Sequence, residues 1–241
     1  MPLRPFGFAV DAAIREHALA AYPNEACGLV VNGSYVPLEN IAANPRDEFE
    51  IAPVEMLREG IQAIVHSHPD QAPWPSADDM RQQMATGLLW GLVSTDGTDA
   101  TGILWWGPGI ETPPLVGRDF RHGPSGSDGK GDCYALIKDW YAVELGVELV
   151  EGPRSHEWWR AGGDLYRENF AAAGFRVVSI EGARRGDVLL MQIQSQVANH
   201  AAIVLGNGLI LHHLSNRLSR EEPLSRWLSF VTHALRHESQ A

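Results

Sequence analysis

HSHPDQAPWPSADD, residues 66–79, is the stretch on which the reading of the first half of the chain turns. The apolar run Ile61 to Val65 leads into it and reads as a strand, and Ser76 to Thr86 at its end has a helical pattern. Side chains of a strand repeat every two residues, so His66 and His68 fall on one face and can share one ion. Asp79, at the start of the helix, offers a third, carboxylate ligand. Two His and one carboxylate leave the fourth position of Zn²⁺ open for water, the pattern of a catalytic site rather than a structural one. The metal would bring the pKa of that water to about 7. Glu25 is the candidate carboxylate to take its proton. Each residue also has a plainer reading. His-x-His is common on surface strands, Ser76-x-x-Asp79 is a helix capping box, and Glu25 after Pro23-Asn24 is a loop carboxylate.

Working outward, Asp11 to Tyr22 reads as a helix, with Ile14, Ala18, Leu19 and Tyr22 near one face and Pro23 as its stop. Cys27 to Val31 and Tyr35 to Leu38 flank Asn32-Gly33, a strong hairpin signal. Pro53 to Gly60 predicts a short helix, and Leu88 to Ser94 and Thr101 to Trp106 predict two more strands. Helices mixed with hairpins predict an α+β layer fold. Glu25, then His66-x-His68-Pro69, six residues, Ser76, two residues and Asp79 together resemble the JAB/MPN metallopeptidases and their JAMM motif, over roughly the first 110 residues. The resemblance implies His66, His68 and Asp79 as zinc ligands and Glu25 as general base. It implies that Ser76 helps hold the water or the developing oxyanion. The chemistry implied is hydrolysis of amide or isopeptide bonds.

Residues 107–131, GPGIETPPLVGRDFRHGPSGSDGKG, are rich in Gly, Pro and Ser and lack an apolar period, so they read as a linker. The predicted organisation is two α+β domains, residues 1–110 and 131–241, joined by a linker at 111–130. Charge shifts at the same point: residues 1–118 hold six Arg and no Lys against 15 acids, while the remainder is nearly balanced.

In the second half, Cys133 opens a helical stretch that runs to Leu145 and is stopped by Gly146. A cysteine in a first helical turn feels the helix dipole, which predicts a lowered thiol pKa. A core cysteine on the apolar face is the plainer reading. A nucleophile needs a base, and a hairpin, residues 200–213, carries His200 near one end and His212-His213 at the other. A two-residue turn at Asn207-Gly208 pairs His200 with the face of His213; a three-residue turn at Gly206-Asn207-Gly208 pairs it with His212. Periodicity leaves both registers open. Asp132-Cys133, Gly186-Asp187, and His200 followed by Gly-Asn-Gly and His212 resemble the NlpC/P60 cysteine peptidases over about residues 119–230. The resemblance selects His212 and implies Cys133 as nucleophile, His200 as base and His212 as the residue orienting that base. Asp132 and Asp187 are expected to be structural. Tyr134 stands where the family often has serine.

A JAB-like domain followed by an NlpC/P60-like domain in 241 residues is similar to the tail tip assembly proteins of lambda-like phages. That likeness implies other phage tail tip proteins as partners, peptidoglycan stem peptides as substrate, and a place in the virion tail tip or, during assembly, the host cytoplasm. A net charge of −11 argues against wrapping nucleic acid. No apolar run approaches the ~20 residues of a membrane span, and the N-terminus lacks a signal-peptide core. Two cysteines exclude a disulfide framework. Of the adjacent Trp105 and Trp106, alternation allows one on an exposed face, suited to docking, while a core or pocket place for both is an equally open reading. Three readings of function stand: a wall hydrolase, an isopeptidase acting on a protein, and an assembly scaffold retaining peptidase folds.

Overall fold

Helix α1 (Phe8–Ala21) turns its apolar side, Val10, Ile14 and Ala18, onto a mixed sheet, as its spacing predicts. The computed structural model describes residues 4–240 and divides into two units, 1–111 with 126–128, and 112–125 with 129–241. In the first unit β1 (Cys27–Val31), β2 (Ser34–Leu38), β3 (Ile61–Pro69), β4 (Leu89–Thr95) and β5 (Leu104–Trp106) form a sheet in the order β2-β1-β3-β4-β5. Only β3 and β4 run parallel, and α2 (Ala77–Thr86) makes the crossover between them. The segment 53–60 forms only a 3-10 turn at Glu55–Leu57.

Alternation sorts this sheet into two apolar faces. Val30, Ala63, Val65, Val93 and Trp105 meet α1 on one side; Leu29, Ile64, Trp90, Leu92 and Trp106 cluster on the other. Trp105 and Trp106 are therefore both buried, the core reading of the pair, because both faces of the sheet are covered. His66 and His68 follow Ile64 in phase and sit on the face away from α1.

The second unit packs α3 (Cys133–Leu145) against an antiparallel sheet. Its strands are β6 (Phe175–Val178), β7 (Val188–Met191), β8 (His200–Gly206), β9 (Leu209–His212), β10 (Arg220–Pro223) and β11 (Val231–His237). Their order is β10-β9-β8-β7-β11-β6, and a short α4 (Leu165–Asn169) precedes them. Leu136, Ile137, Trp140 and Tyr141 of α3 fill the core with Val188, Leu190, Ala201 and Ile203. Buried Asp187 accepts two hydrogen bonds from the Arg236 guanidinium, at 2.9 and 2.8 Å, which ties β7 to β11. Among the described residues no helix is long and apolar enough to cross a membrane.

The stretch expected as a linker is built into the folded units. Arg118 donates to the carbonyls of Pro113 and Pro114, to Ser125 Oγ and to Asp139 on α3. The Arg121 guanidinium donates to the carbonyls of His122 and Pro124. In the first unit Ser127 exchanges two bonds with the Trp105 backbone. Gly, Pro and Ser here serve tight turns held by buried arginines rather than a free tether. Limited proteolysis is accordingly expected to nick first within residues 107–117, where most side chains are exposed, and to spare 118–131. A first cut between Arg118 and Gly131, read by mass spectrometry, would show a tether after all.

Candidate functional site

Strand β3 ends with three ligand-type atoms facing α2. His66 Nε2 and His68 Nε2 lie 3.3 Å apart, and each faces one oxygen of Asp79, at 3.2 and 3.3 Å. One potential ligand atom from each of the three lies within 4.8 Å of the others. A tetrahedral ion with bonds of ~2.0 Å has ligand–ligand edges of about 3.3 Å, so the donor set fits a small cation. His68 Nδ1–H donates to the Ala72 carbonyl at 2.9 Å, which leaves the Nε2 lone pair directed at the cluster. His66 is held by rings: Phe49 stacks on it at 4.7 Å and Trp90 and Trp106 meet it edge-on.

Charge agrees with this arrangement. Burial would raise the Asp79 carboxyl, but the two imidazoles hold it well below the ordinary range. Burial lowers His66, whose imidazole is neutral; it pulls on His68 too, but there Asp79 prevails and leaves the pKa raised. Glu25, buried next to this cluster, is pushed up to about 8, first by burial and then by Asp79, Asp47 and Glu48 against the pull of His68. Ser76 is the N-cap of α2: its Oγ accepts from Asp79 N–H at 3.0 Å, and Asp79 Oδ2 accepts from Ser76 N–H at 2.7 Å. The capping box and the ligand cluster thus share Asp79.

Residues missed in the sequence complete this corner. The Asn40 side-chain amide donates to the carbonyls of Glu25, Pro45 and Glu48 and accepts from Ala42 and Glu50, winding the loop that delivers Phe49. One asparagine in a polar loop carries no signal of that role.

In the second unit Cys133 stands first in α3, with Asp132 as the N-cap accepting from Tyr134 and Ala135 N–H. Arg154 donates to both oxygens of Asp132, at 2.6 and 2.9 Å, and Glu151 and Lys138 extend the network. The thiol pKa is not lowered. Burial, and then the Asp132 charge, push it up to about 11 against the pull of Tyr166, the Ala201 amide and Arg154. Cys133 Sγ meets Tyr166 Oη at 3.3 Å and the Ala201 backbone N–H, one residue past His200, rather than an imidazole.

The hairpin resolves the register in a way neither alternative foresaw. Asn207 and Gly208 form a two-residue turn with φ of 51° and 73°, pairing Gly206 with Leu209. A bulge at Leu205 then shifts the ladder, so that Val204 pairs with Ile210 and Ala202 with His212. His200 and His212 share a face, with Nε2 and Nδ1 3.2 Å apart. His213, fully buried and just past the end of β9, packs on Phe120. Burial lowers His200 to about 3 and His212 to about 4, so both rings are neutral at pH 7.

Tyr134 donates to the Val150 carbonyl at 2.6 Å and, with Ile137, Trp158, Leu165, Tyr166 and Phe170, lines a mainly apolar cavity of about 200 Å³.

Residues 9–106 match the prokaryotic homologs of the JAB domain, and residues 117–236 match the NlpC/P60 family. Tail tip assembly protein K of Escherichia phage lambda is 38% identical over 180 residues, covering 74% of this chain and 83% of that protein. The chain belongs to the tail tip assembly protein K family. Protein K of Escherichia phage N15 is 34% identical over 222 residues, 88% of this chain and 86% of that one. The desampylase of Haloferax volcanii is 32% identical over 99 residues, covering 34% of this chain and 71% of its own. Among solved structures, the NlpC/p60 domain of the peptidoglycan hydrolase SagA aligns with a TM-score of 0.36 at 17% identity, over 51% of this chain and 89% of that chain. Both domain matches fall in one chain, in the order the motifs predict.

Proposed function

We propose that this K-family chain is a phage tail tip assembly protein that also hydrolyses peptidoglycan, cutting amide bonds of stem peptides at Cys133. The observation that carries the reading is the hairpin: His200 and His212 share a face, at 3.2 Å, at the end of the strand whose Ala201 amide meets the Cys133 sulfur. His200 takes the thiol proton as Sγ attacks the amide carbon, then returns it to the leaving amine; water releases the acyl group. His212 orients His200. Tail tip partners follow from the K-family match, as does a place in the virion tail.

The first unit is a second hydrolase site, specific for amide or isopeptide bonds, with zinc held by His66, His68 and Asp79. When bound, the ion supplies Lewis acidity toward water and carbonyl oxygen. Glu25 takes and returns the proton, and Ser76 holds the start of α2 so that Asp79 stays aimed at the imidazoles.

A resting thiol at about 11 and an imidazole at about 3 form a neutral pair, not a thiolate–imidazolium pair. Wall hydrolysis is therefore expected to show no acid limb between pH 5 and 7, since His200 stays unprotonated until pH approaches about 3. A midpoint near 6.5 in initial rates would mean that His200 is solvated in the working state.

The contact of Cys133 with Tyr166 rather than an imidazole favours a second reading, an assembly component with inactive or vestigial peptidase domains. Digestion of purified peptidoglycan by the full chain, with and without chelator, separates the two. Released stem peptides support the hydrolase. No release in any form, with normal tail assembly by Cys133→Ala, supports the scaffold.

A further inference from the structure

Behind His212 lies a carboxylate that no motif of the sequence flagged. Strand β10 pairs with β9, and Glu222 stands within ion-pair reach of His212, with Oε2 3.7 Å from Nε2. The carboxylate is largely buried and held on both sides: Trp227 Nε1–H donates to Oε2 at 2.7 Å, and Arg220 pairs with Oε1. The Trp227 ring also packs edge-on against His212 at 4.6 Å. Burial alone would raise the carboxyl, but Trp227, Arg220 and His212 keep it ionised.

We infer that Glu222 is a positioning residue of the Cys133 site, acting through His212 to set the tautomer of His200. The inference rests on the cysteine-peptidase reading above. At 3.7 Å the contact is one of charge rather than a hydrogen bond, and an ionised carboxylate favours the tautomer that turns an N–H toward it, so the His212 nitrogen facing it, Nε2, carries the proton. His212 Nδ1 then has the lone pair, and the 3.2 Å contact makes it the acceptor from His200 Nε2–H. That leaves His200 Nδ1 with a free lone pair, the nitrogen that must accept the thiol proton. When the proton moves from Sγ to Nδ1, the imidazolium stands two links from a negative charge rather than beside one. The groups facing this pair are His213 toward His200, and Arg217 and Arg220 toward His212. The two arginines oppose a positive charge there, and Glu222 favours one. A chain of two imidazoles ending in a carboxylate thus recovers part of what a directly bonded Asp supplies in other triads.

The test uses the full chain, with long-range ¹H–¹⁵N correlation of the imidazoles to report which nitrogen carries each proton. The rate of Cys133 alkylation by iodoacetamide is followed in parallel by mass spectrometry. Wild type is expected to show Nε2–H at both His200 and His212. Glu222→Gln, whose amide can donate or accept, is expected to mix the His212 tautomers. It should slow alkylation at pH 7 about tenfold, well short of the ~10⁴ lost when a directly bonded orienting carboxylate is neutralised. Glu222→Asp should restore the wild-type tautomers in part. Trp227→Phe, which removes the bond that holds Oε2, should shift them in the direction of Glu222→Gln. Nδ1–H at His212 in wild type, or unchanged tautomers and rate in both Glu222→Gln and Trp227→Phe, overturns the inference. A structural role alone would lower the melting temperature and leave the tautomers as they are. His200→Ala tests the underlying reading separately: if it leaves alkylation unchanged the peptidase reading falls, while the tautomers still decide the role of Glu222.

Discussion

Cys133→Ala is expected to abolish release of stem peptides from purified peptidoglycan, a loss on the order of 10⁴-fold or more, because it removes the nucleophile of a set that acts as a unit. His200→Ala should be nearly as severe, since one imidazole serves first as base and then as acid. His212→Ala should cost less, and His213→Ala least, because its ring packs on Phe120 while His212 is the ring in contact with His200. Equal losses for His212→Ala and His213→Ala would mean that the bulged register is wrong. The wall activity should also survive chelation. If Cys133→Ala stays active and chelator abolishes the rate, the wall chemistry belongs to the first unit instead.

Purified protein prepared without chelator is expected to carry about one zinc per chain by elemental analysis, and His68→Ala should bring it close to zero. Asp79→Asn separates the two jobs of that side chain. Its amide oxygen can still accept from Ser76 N–H, so α2 should keep its cap and the melting temperature should move little. The charge that the two imidazoles face is gone, so metal content should fall with that of His68→Ala. If metal-free wild type is obtained from a zinc-supplemented preparation, the ligand reading is wrong. If Asp79→Asn keeps full metal content, the carboxylate serves only as a cap.

The two sites differ in how much of them could be read before folding. The JAMM spacing places its residues by short-range geometry: a period of two for His66 and His68 and a capped helix start for Asp79, both visible in fourteen consecutive residues. The α+β layering followed from the same local signals. What failed or stayed open depended on neighbours distant in sequence. Trp105 and Trp106 are both buried because two apolar layers close on one sheet. Helix-start chemistry alone predicted a lowered thiol pKa at Cys133, but burial and the charge of the neighbouring Asp132 raise it. The 118–131 stretch had the composition of a tether, yet two arginines fasten it in place. Glu222 stood in an ordinary charged run, Arg220 to Glu222, and acquires meaning only when β10 pairs with β9.

The bulge at Leu205 has a consequence for how this hairpin can vary. Strand faces alternate, so the hairpin between His200 and His212 works as a parity lock with the bulge as its odd tooth. Removing one residue from the β8 arm while the bulge stays shifts the ladder by one and swings His213 into the position of His212, facing the base with a ring that has lost its carboxylate backing. Removing or adding two restores the phase. Relatives with working sites should therefore differ in this hairpin by even numbers of residues, or by an odd number together with the loss or gain of the bulge.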